Sequence, residues 1–452
     1  MEHLSKFTEL EQRTVRKVSK HLIPFLFLCF AISILDRLNI SFAALQMNES
    51  LGFSSEVYGL GAGIFFIGYF LLEVPGSALM TKYGAKRWIS RIMISWGIIS
   101  ALTAFVTTPA QFYAVRFALG VAEASFFPCM AWYLSNWFQT KHHARALAGF
   151  MVAIPAASAF GSPISSYLLG TDFFGLHGWQ NLFILEAIPS VILGIVVLFY
   201  LPDHIYDAKW LKEDEKEWLS KIIEKENDLK RKRKHITFLQ TLKERNVLIL
   251  SGAYVCWMIG YYGVIMFLPT LIHSLSSSIS TSSIGWIIGL MYLLAAFTMV
   301  AVGRSSDKKL ERRYHAASSL IIAAVGLVAS VFIAEVNTVL AIAVYTVSLC
   351  GAYGAYTPFW AIPPSYLSGA SAAAGIALIN SVGNLGGFVG PYMVGIIKSA
   401  TNSYTLAIFT LSAFLVLSSS IIVVLIKNFN EKTHHATAHQ NIPSHSPVDN
   451  HN

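Results

Sequence analysis

Long apolar runs alternate with short polar ones along the whole chain. Runs of about 20 residues, the length that crosses a bilayer as a helix, fall near 22–44, 57–80, 87–106, 111–134, 145–169 and 180–201. After a polar interval they resume near 247–272, 284–303, 315–334, 338–360, 369–397 and 404–427. The pattern predicts an all-α membrane protein with twelve transmembrane helices in two six-helix bundles, the seventh and eleventh spans being interrupted by Gly and Pro. The runs are continuous rather than alternating, which excludes a transmembrane β-barrel. The expected division is a first bundle over 1–202, a central linker over 203–246, a second bundle over 247–428 and a tail over 429–452.

Composition supports the same class. Of 452 residues, 54% are hydrophobic and 13% charged, against roughly 25% charged in an ordinary soluble domain. So few charges cannot cover the surface of a soluble enzyme of this length. The net charge of +8 points to sidedness rather than to nucleic acid. Lys and Arg cluster before span one (Lys6, Arg13, Arg16, Lys17, Lys20) and between spans two and three (Lys82, Lys86, Arg87). They recur between four and five, throughout 209–245, and between eight and nine, whereas the loops near 45–56, 107–110, 171–178, 273–283 and 335–337 have none. By the positive-inside rule both termini lie in the cytoplasm.

Residues 1–20 are charged and polar without the features of a cleavable signal, so span one is expected to remain as a permanent helix. Cys29, Cys129, Cys256 and Cys350 each stand alone in an apolar run and read as small buried hydrophobes. In the linker, Trp210, Leu211, Trp218, Leu219, Ile222 and Ile223 recur amid Lys and Glu. This predicts a helix on the cytoplasmic membrane surface, with Lys230 to Lys234 toward anionic headgroups. The His-rich tail after Lys427 reads as disordered, and Asn48-Glu49-Ser50 fits a glycosylation sequon if the source is a eukaryote.

The two halves carry related loops. Gly76-Ser77-Ala78-Leu79-Met80-Thr81-Lys82-Tyr83-Gly84-Ala85-Lys86-Arg87 joins spans two and three, and Gly303-Arg304-Ser305-Ser306-Asp307-Lys308-Lys309-Leu310-Glu311-Arg312-Arg313 joins spans eight and nine. Both resemble the signature loop of the major facilitator superfamily, Gly-x-x-x-Asp-Arg/Lys-x-Gly-x-Arg/Lys. Asp307 and Lys308 match the second copy, while Thr81 stands where the first copy of the family's loop has Asp. The resemblance implies the major facilitator fold: parallel repeats about an axis normal to the membrane, a substrate at mid-bilayer between them, and alternating access by rocking.

A charge at the bilayer centre costs on the order of 2.5–3.5 kcal/mol by insertion measurements, so each one is a functional candidate. The first half contains Asp36 and Arg37 in span one, Glu73 in span two, Arg116 and Glu123 in span four, and Glu186 in span six; no span of the second half has a deep charge. Arg116 and Glu123 are seven residues apart and so lie within about 20° on one helix face, whereas Arg37 lies about 100° round from Asp36. Ion pairs that only brace helices are the alternative; two arginine–acid combinations confined to one half favour function. Glu73 and Glu186, each just before a proline, read as structural acceptors. In the second half the polar candidates are Asn380, Asn384 and Tyr261, with Tyr69 facing them from span two.

Leu35-Asp36-Arg37-Leu38-Asn39-Ile40, Gly84-Ala85-Lys86-Arg87-Trp88, Arg116-Phe117-Ala118-Leu119-Gly120-Val121-Ala122-Glu123-Ala124 and Leu185-Glu186-Ala187-Ile188-Pro189-Ser190 resemble the anion:cation symporters within the major facilitators. That family includes galactonate, tartrate, phthalate and 4-hydroxyphenylacetate permeases, the last type being especially similar. The resemblance implies proton coupling at Asp36 and Glu123, anion holding by Arg37 and Arg116, and polar contacts from Tyr69 and Asn384. Asp307, Lys308 and Arg87 are carried over as gating or structural positions. The resulting expectation is a proton-coupled importer of an organic carboxylate, aromatic acid or sugar acid, in a bacterial inner membrane. It is expected to be a monomer in lipid, with no cofactor, metal, nucleic-acid partner or enzymatic activity. The alternative is a facilitative or sodium-coupled exchanger of organic anions on the same fold.

Overall fold

A computed structural model of the chain describes residues 2–231, 244–366 and 370–425; the expected tail lies outside these. Span one is the helix Glu2–Leu51, span two Ser55–Tyr83 and span three Ala85–Leu102. Span four is split into Pro109–Glu123 and Phe126–Ser135, and span five into Thr140–Met151 and Ala153–Leu168. Span six is Gly178–Tyr200. In the second half, span seven is Arg245–Leu275, span eight Thr281–Lys309 and span nine Arg313–Ala334. Span ten is Thr338–Gly354 followed by Tyr356–Trp360, span eleven is Ala370–Asn384 followed by Gly386–Thr401, and span twelve is Thr405–Leu425.

Ten stretches of the described residues are helical, long and apolar enough to cross a membrane. The remaining two expected spans, five and eleven, are each broken into two shorter helices. The expected interruption of span seven is not observed: it runs unbroken for 31 residues with Pro269 inside it. Span four has a break that the apolar pattern does not reveal. Glu123 is the last residue of its first helix, and Ser125 adopts a left-handed φ of 69° before the second begins. That region disfavours a side chain with Cβ, so the kink beside Glu123 is held by its surroundings.

Helix starts on one face of the molecule are capped by the residue types that supply a side-chain acceptor. Ser54 accepts from Val57 N at 3.2 Å, Thr108 from Gln111 N at 3.3 Å, Ser280 from Ser283 N at 3.2 Å and Asn337 from Leu340 N at 2.9 Å. These caps lie in the loops that carry no Lys or Arg. Around the outside, large apolar side chains such as Phe160, Phe199, Trp286, Phe297 and Phe332 are exposed, which suits lipid and not water.

In the first half, span one packs on spans five and six, span three on six and four, and span two on four. In the second, span nine packs on ten and twelve, and span seven on eleven and twelve. The halves meet chiefly along span two against eleven and span five against eight, and span one also meets span seven. Helix approach there depends on small residues. A Cβ on Gly63 would come within 2.7 Å of the Phe388 carbonyl oxygen, and one on Gly289 within 2.6 Å of that of Ala159. At the ends near the Lys/Arg-free loops, Tyr58 Oη donates to the Met266 carbonyl at 2.5 Å and Glu56 N to Ser399 Oγ at 2.9 Å. There too Ser166 Oγ donates to the Thr281 carbonyl. The molecule is closed at this end.

The linker helix Glu213–Arg231 differs from the expected membrane-surface helix. Leu211, Trp218, Leu219 and Ile223 are buried against the first bundle, while Trp210 stacks on His21 at 4.5 Å and meets Trp137 at 5.7 Å. Arg13 binds Asp214 at 2.5 Å and Glu215 at 2.8 Å, and Lys17 binds Glu215 at 2.8 Å. The basic cluster before span one and the Trp137 side chain offer this helix both charge and apolar surface, so its apolar face packs on protein. Burial alone would raise the Glu215 carboxyl, but hydrogen bonds and charge from Lys17 and Arg13 outweigh it and hold the group below the usual range. The side chains of Lys230 and Arg231 and all of residues 232–243 lie outside the described residues.

Candidate functional site

Span one presents Arg37 and Asp36 in different directions. The Arg37 guanidinium forms an ion pair with Glu123 of span four, and Ser33 Oγ, one turn before Arg37, donates to the same carboxylate oxygen at 3.0 Å. The Glu123 side chain is 2% exposed and the Arg37 side chain 17%, so the arginine is the member that reaches open space. Its guanidinium carbon lies 5.4 Å from the Phe65 ring centre and 5.2 Å from that of Tyr69, both in span two. From the opposite half, Tyr262 of span seven stands beside Arg37 and packs on Phe66 with ring centres 4.4 Å apart.

Arg116 is fully buried. Its Nε donates to the Gly61 carbonyl at 3.3 Å, and its guanidinium carbon stands 5.1 Å from the same Phe65 ring. Nη1 and Nη2 have no hydrogen-bond partner among the described residues. A guanidinium has five donors in a fixed fork and no acceptor, and an unpaired one is costly to bury. Its terminal nitrogens therefore keep donor capacity that the described residues do not use.

The shared helix face of Arg116 and Glu123 suggests one pair and the structure makes another: Glu123 is paired with Arg37. Asp36 is turned into the bundle, where Ser100 Oγ of span three donates to it at 2.5 Å and Asn39 Nδ2 at 3.3 Å. Arg116 and Asp36 act on one another through space without touching. The reason is the 100° step between neighbouring helical residues, which sends residue 37 to the chamber and residue 36 toward span three. Asp36, Arg116 and Glu123 are buried, Arg37 half-buried, and none faces lipid.

The remaining candidates divide. Glu73 and Asn380 meet across the two halves, Asn380 Nδ2 donating to Glu73 Oε1 at 3.1 Å. Asn384 ends the first helix of span eleven and is half-buried. Tyr261 points away from the charged chamber, its hydroxyl donating to Tyr353 Oη at 2.9 Å within a packed group that includes Tyr356; its neighbour Tyr262 takes the position toward Arg37. Glu186 lies 3% exposed and accepts from Ser165 Oγ at 2.6 Å. In the second signature loop Asp307 pairs with Arg312, while Lys308 and Arg87 are exposed.

In the first signature loop the family's missing acid is supplied from elsewhere. Asp203, just beyond span six, accepts from Lys86 N at 3.1 Å at the start of span three, where Gly84 makes the turn with φ 86°. Sequence reasoning missed Asp203, Ser33, Ser100 and Phe65. One signal was available: Gly61, Phe65, Tyr69 and Glu73 repeat at four-residue spacing and form one face of span two.

Residues 26–391 match the family model described as Major Facilitator Superfamily. A putative tartrate transporter of Agrobacterium vitis is 46% identical over 92% of this chain and 96% of its own length. The putative metabolite transport protein NicT of Pseudomonas putida is 39% identical over 90% of this chain and 93% of its own. Among solved structures, a bacterial homologue of the human lysosomal transporter Spinster, crystallised inward-facing and unoccupied, aligns with a TM-score of 0.75 at 15% identity. It covers 91% of this chain and 98% of that one and speaks to the fold alone.

Proposed function

The chain belongs to the major facilitator superfamily, and on that premise we propose that it imports an organic carboxylate together with a proton. It is an integral membrane transporter rather than an enzyme. The observation that carries the anion reading is Arg116, buried with two unpartnered terminal nitrogens and sharing the Phe65 ring with Arg37. Both guanidinium carbons lie within 5.4 Å of the Phe65 ring centre, close enough for one small dicarboxylate to address both. Likeness to proteins named as tartrate transporters makes tartrate the first substrate to try.

The proton reading rests on charge. An anion that takes Arg37 in bidentate geometry leaves the Glu123 carboxylate buried without its partner, and protonation is the least costly way to relieve it. A monocarboxylate loaded with one proton leaves the net charge as before, whereas a dicarboxylate such as tartrate needs two protons for the same balance; with its charge restored, the halves can rock. The positive-inside pattern supports assigning the closed end to the outside.

Uptake of labelled tartrate into proteoliposomes under an inward proton gradient tests this. Accumulation that collapses in Glu123→Gln while tartrate–tartrate exchange persists supports the coupling role. Accumulation that ignores the pH gradient and follows a sodium gradient, or only equilibrates, replaces the reading by the exchanger or facilitator.

A further inference from the structure

Behind span one, on the side away from Arg37, five polar side chains from four spans form a buried line. Ser100 Oγ donates to Asp36 at 2.5 Å, and Asn39 Nδ2 donates to Asp36 Oδ1 at 3.3 Å. The Asn39 side chain also lies beside Glu186, to which Ser165 Oγ donates at 2.6 Å. All five are 2% exposed or less except Glu186 at 3%. The line therefore holds two carboxyls, separated by one carboxamide, in the interior of a membrane protein.

Its hydrogen-bond count does not close. Glu186 Oε2 and Asn39 Oδ1 are both buried and both lack a partner. Each is an acceptor, so what is missing is a donor hydrogen. The chain's cations do not make up the difference. Arg37 is engaged with Glu123, Arg116 acts on Asp36, and Glu123 acts on Asp36 with the opposite sign. Among the described residues the charged group that acts on Glu186 is Asp36. Two carboxyls in one buried line disfavour simultaneous ionisation, and their protons are shared by the pair.

We propose that Asp36, Asn39 and Glu186 form one proton-binding unit, distinct from the Arg37–Glu123 pair, in which Glu186 holds a proton in the empty carrier. Asn39 positions the two carboxyls so that the charge on one governs the other. When an anion takes Arg116, Asp36 loses its compensating cation and the unit takes up a further proton from water, forming one O–H bond on Asp36. Glu186 thereby sets the pH at which Asp36 accepts that proton. This role in uptake rests on the symport reading above; the resident proton does not.

Infrared difference spectroscopy on the purified full chain decides the first point. The carbonyl stretch of a protonated, buried carboxylic acid is expected in the wild type at neutral pH without tartrate. It should be lost in Glu186→Gln, present in Glu123→Gln and restored in Glu186→Asp. Identical spectra for wild type and Glu186→Gln overturn the proposal. The second point is read from tartrate uptake against pH. Glu186→Gln should move the midpoint by on the order of one pH unit, with Glu186→Asp returning toward wild type; an unmoved profile overturns the coupling of Glu186 to Asp36. If wild-type uptake does not depend on pH, symport fails while the infrared result still judges whether Glu186 holds its proton.

Discussion

The two halves of this transporter share a fold and divide the chemistry. The first encloses Asp36, Arg37, Glu73, Arg116, Glu123 and Glu186. The second encloses none of these; its interior is a packed set of rings, Tyr254, Trp257, Tyr261, Tyr353, Tyr356 and Phe359 among them. The difference bears on motion. Breaking a buried ion pair costs about 3–5 kcal/mol, whereas a neutral hydrogen bond contributes about 0.5–1.5 kcal/mol. The hydrogen bonds across the closed end, Tyr58 to Met266, Glu56 to Ser399 and Ser166 to Thr281, are all of the second kind. The buried ion pair lies inside one half, and the bonds that join the halves at the closed end are of the weaker kind.

The sharpest way to break the contrast is Arg37→Ala, which strands Glu123 in the interior. Thermal unfolding should show a loss of about 3–5 kcal/mol and tartrate uptake should vanish; a variant of wild-type stability would place the work of the ion pair elsewhere. Next is Arg116→Lys, which keeps the charge and loses the fork. Tartrate affinity measured by thermal shift should fall at least about tenfold, equivalent to ~1.4 kcal/mol, and an unchanged value would refute anion binding at that residue.

Two neighbouring tyrosines sharpen the comparison from the other half. Tyr262→Phe removes a hydroxyl facing Arg37 and should weaken apparent affinity by about two- to tenfold, the range of one hydrogen bond. Tyr261→Phe, whose hydroxyl is bonded to Tyr353, should leave affinity unchanged and lower stability instead. Equal effects of the two on uptake would mean that the second half does not discriminate between them.

The smallest effect is expected at the linker clamp. The Glu215 carboxyl is held below its usual range by Lys17 and Arg13, so its contribution is present above the unfolded value of about 4.3 and is lost as pH falls through the lowered folded value. Protection of the backbone amides in the helix Glu213–Arg231, corrected for the intrinsic exchange rate at each pH, should therefore fall in acid relative to neutral pH, and Glu215→Gln should remove that acid-dependent difference.

Much of this is legible along the chain because the bilayer is a severe solvent. It demands apolar runs of fixed length, sorts Lys and Arg to one side and makes every interior charge conspicuous, so the spans, the two halves and the acids and arginines of the first bundle can be picked out one residue at a time. Breaks were harder to place. Pro269 leaves span seven continuous, while span four breaks at Ser125, because a kink depends on whether neighbouring helices stabilise the freed backbone groups.

Partnership was decided only by the fold. Periodicity puts Arg116 and Glu123 on one face, yet Glu123 belongs to Arg37, Asp36 to Ser100 and Asn39, Glu73 to Asn380, and the signature turn before span three to Asp203. Each of these joins groups from different helices or from positions far apart within the bundle, except Asp36 with Asn39. A linear pattern records which faces a helix owns; it carries no information on the rotation and depth at which two helices meet. Those are set by how small residues such as Gly68 and Gly120, where spans two and four cross, let the backbones approach, and they determine which charge finds which.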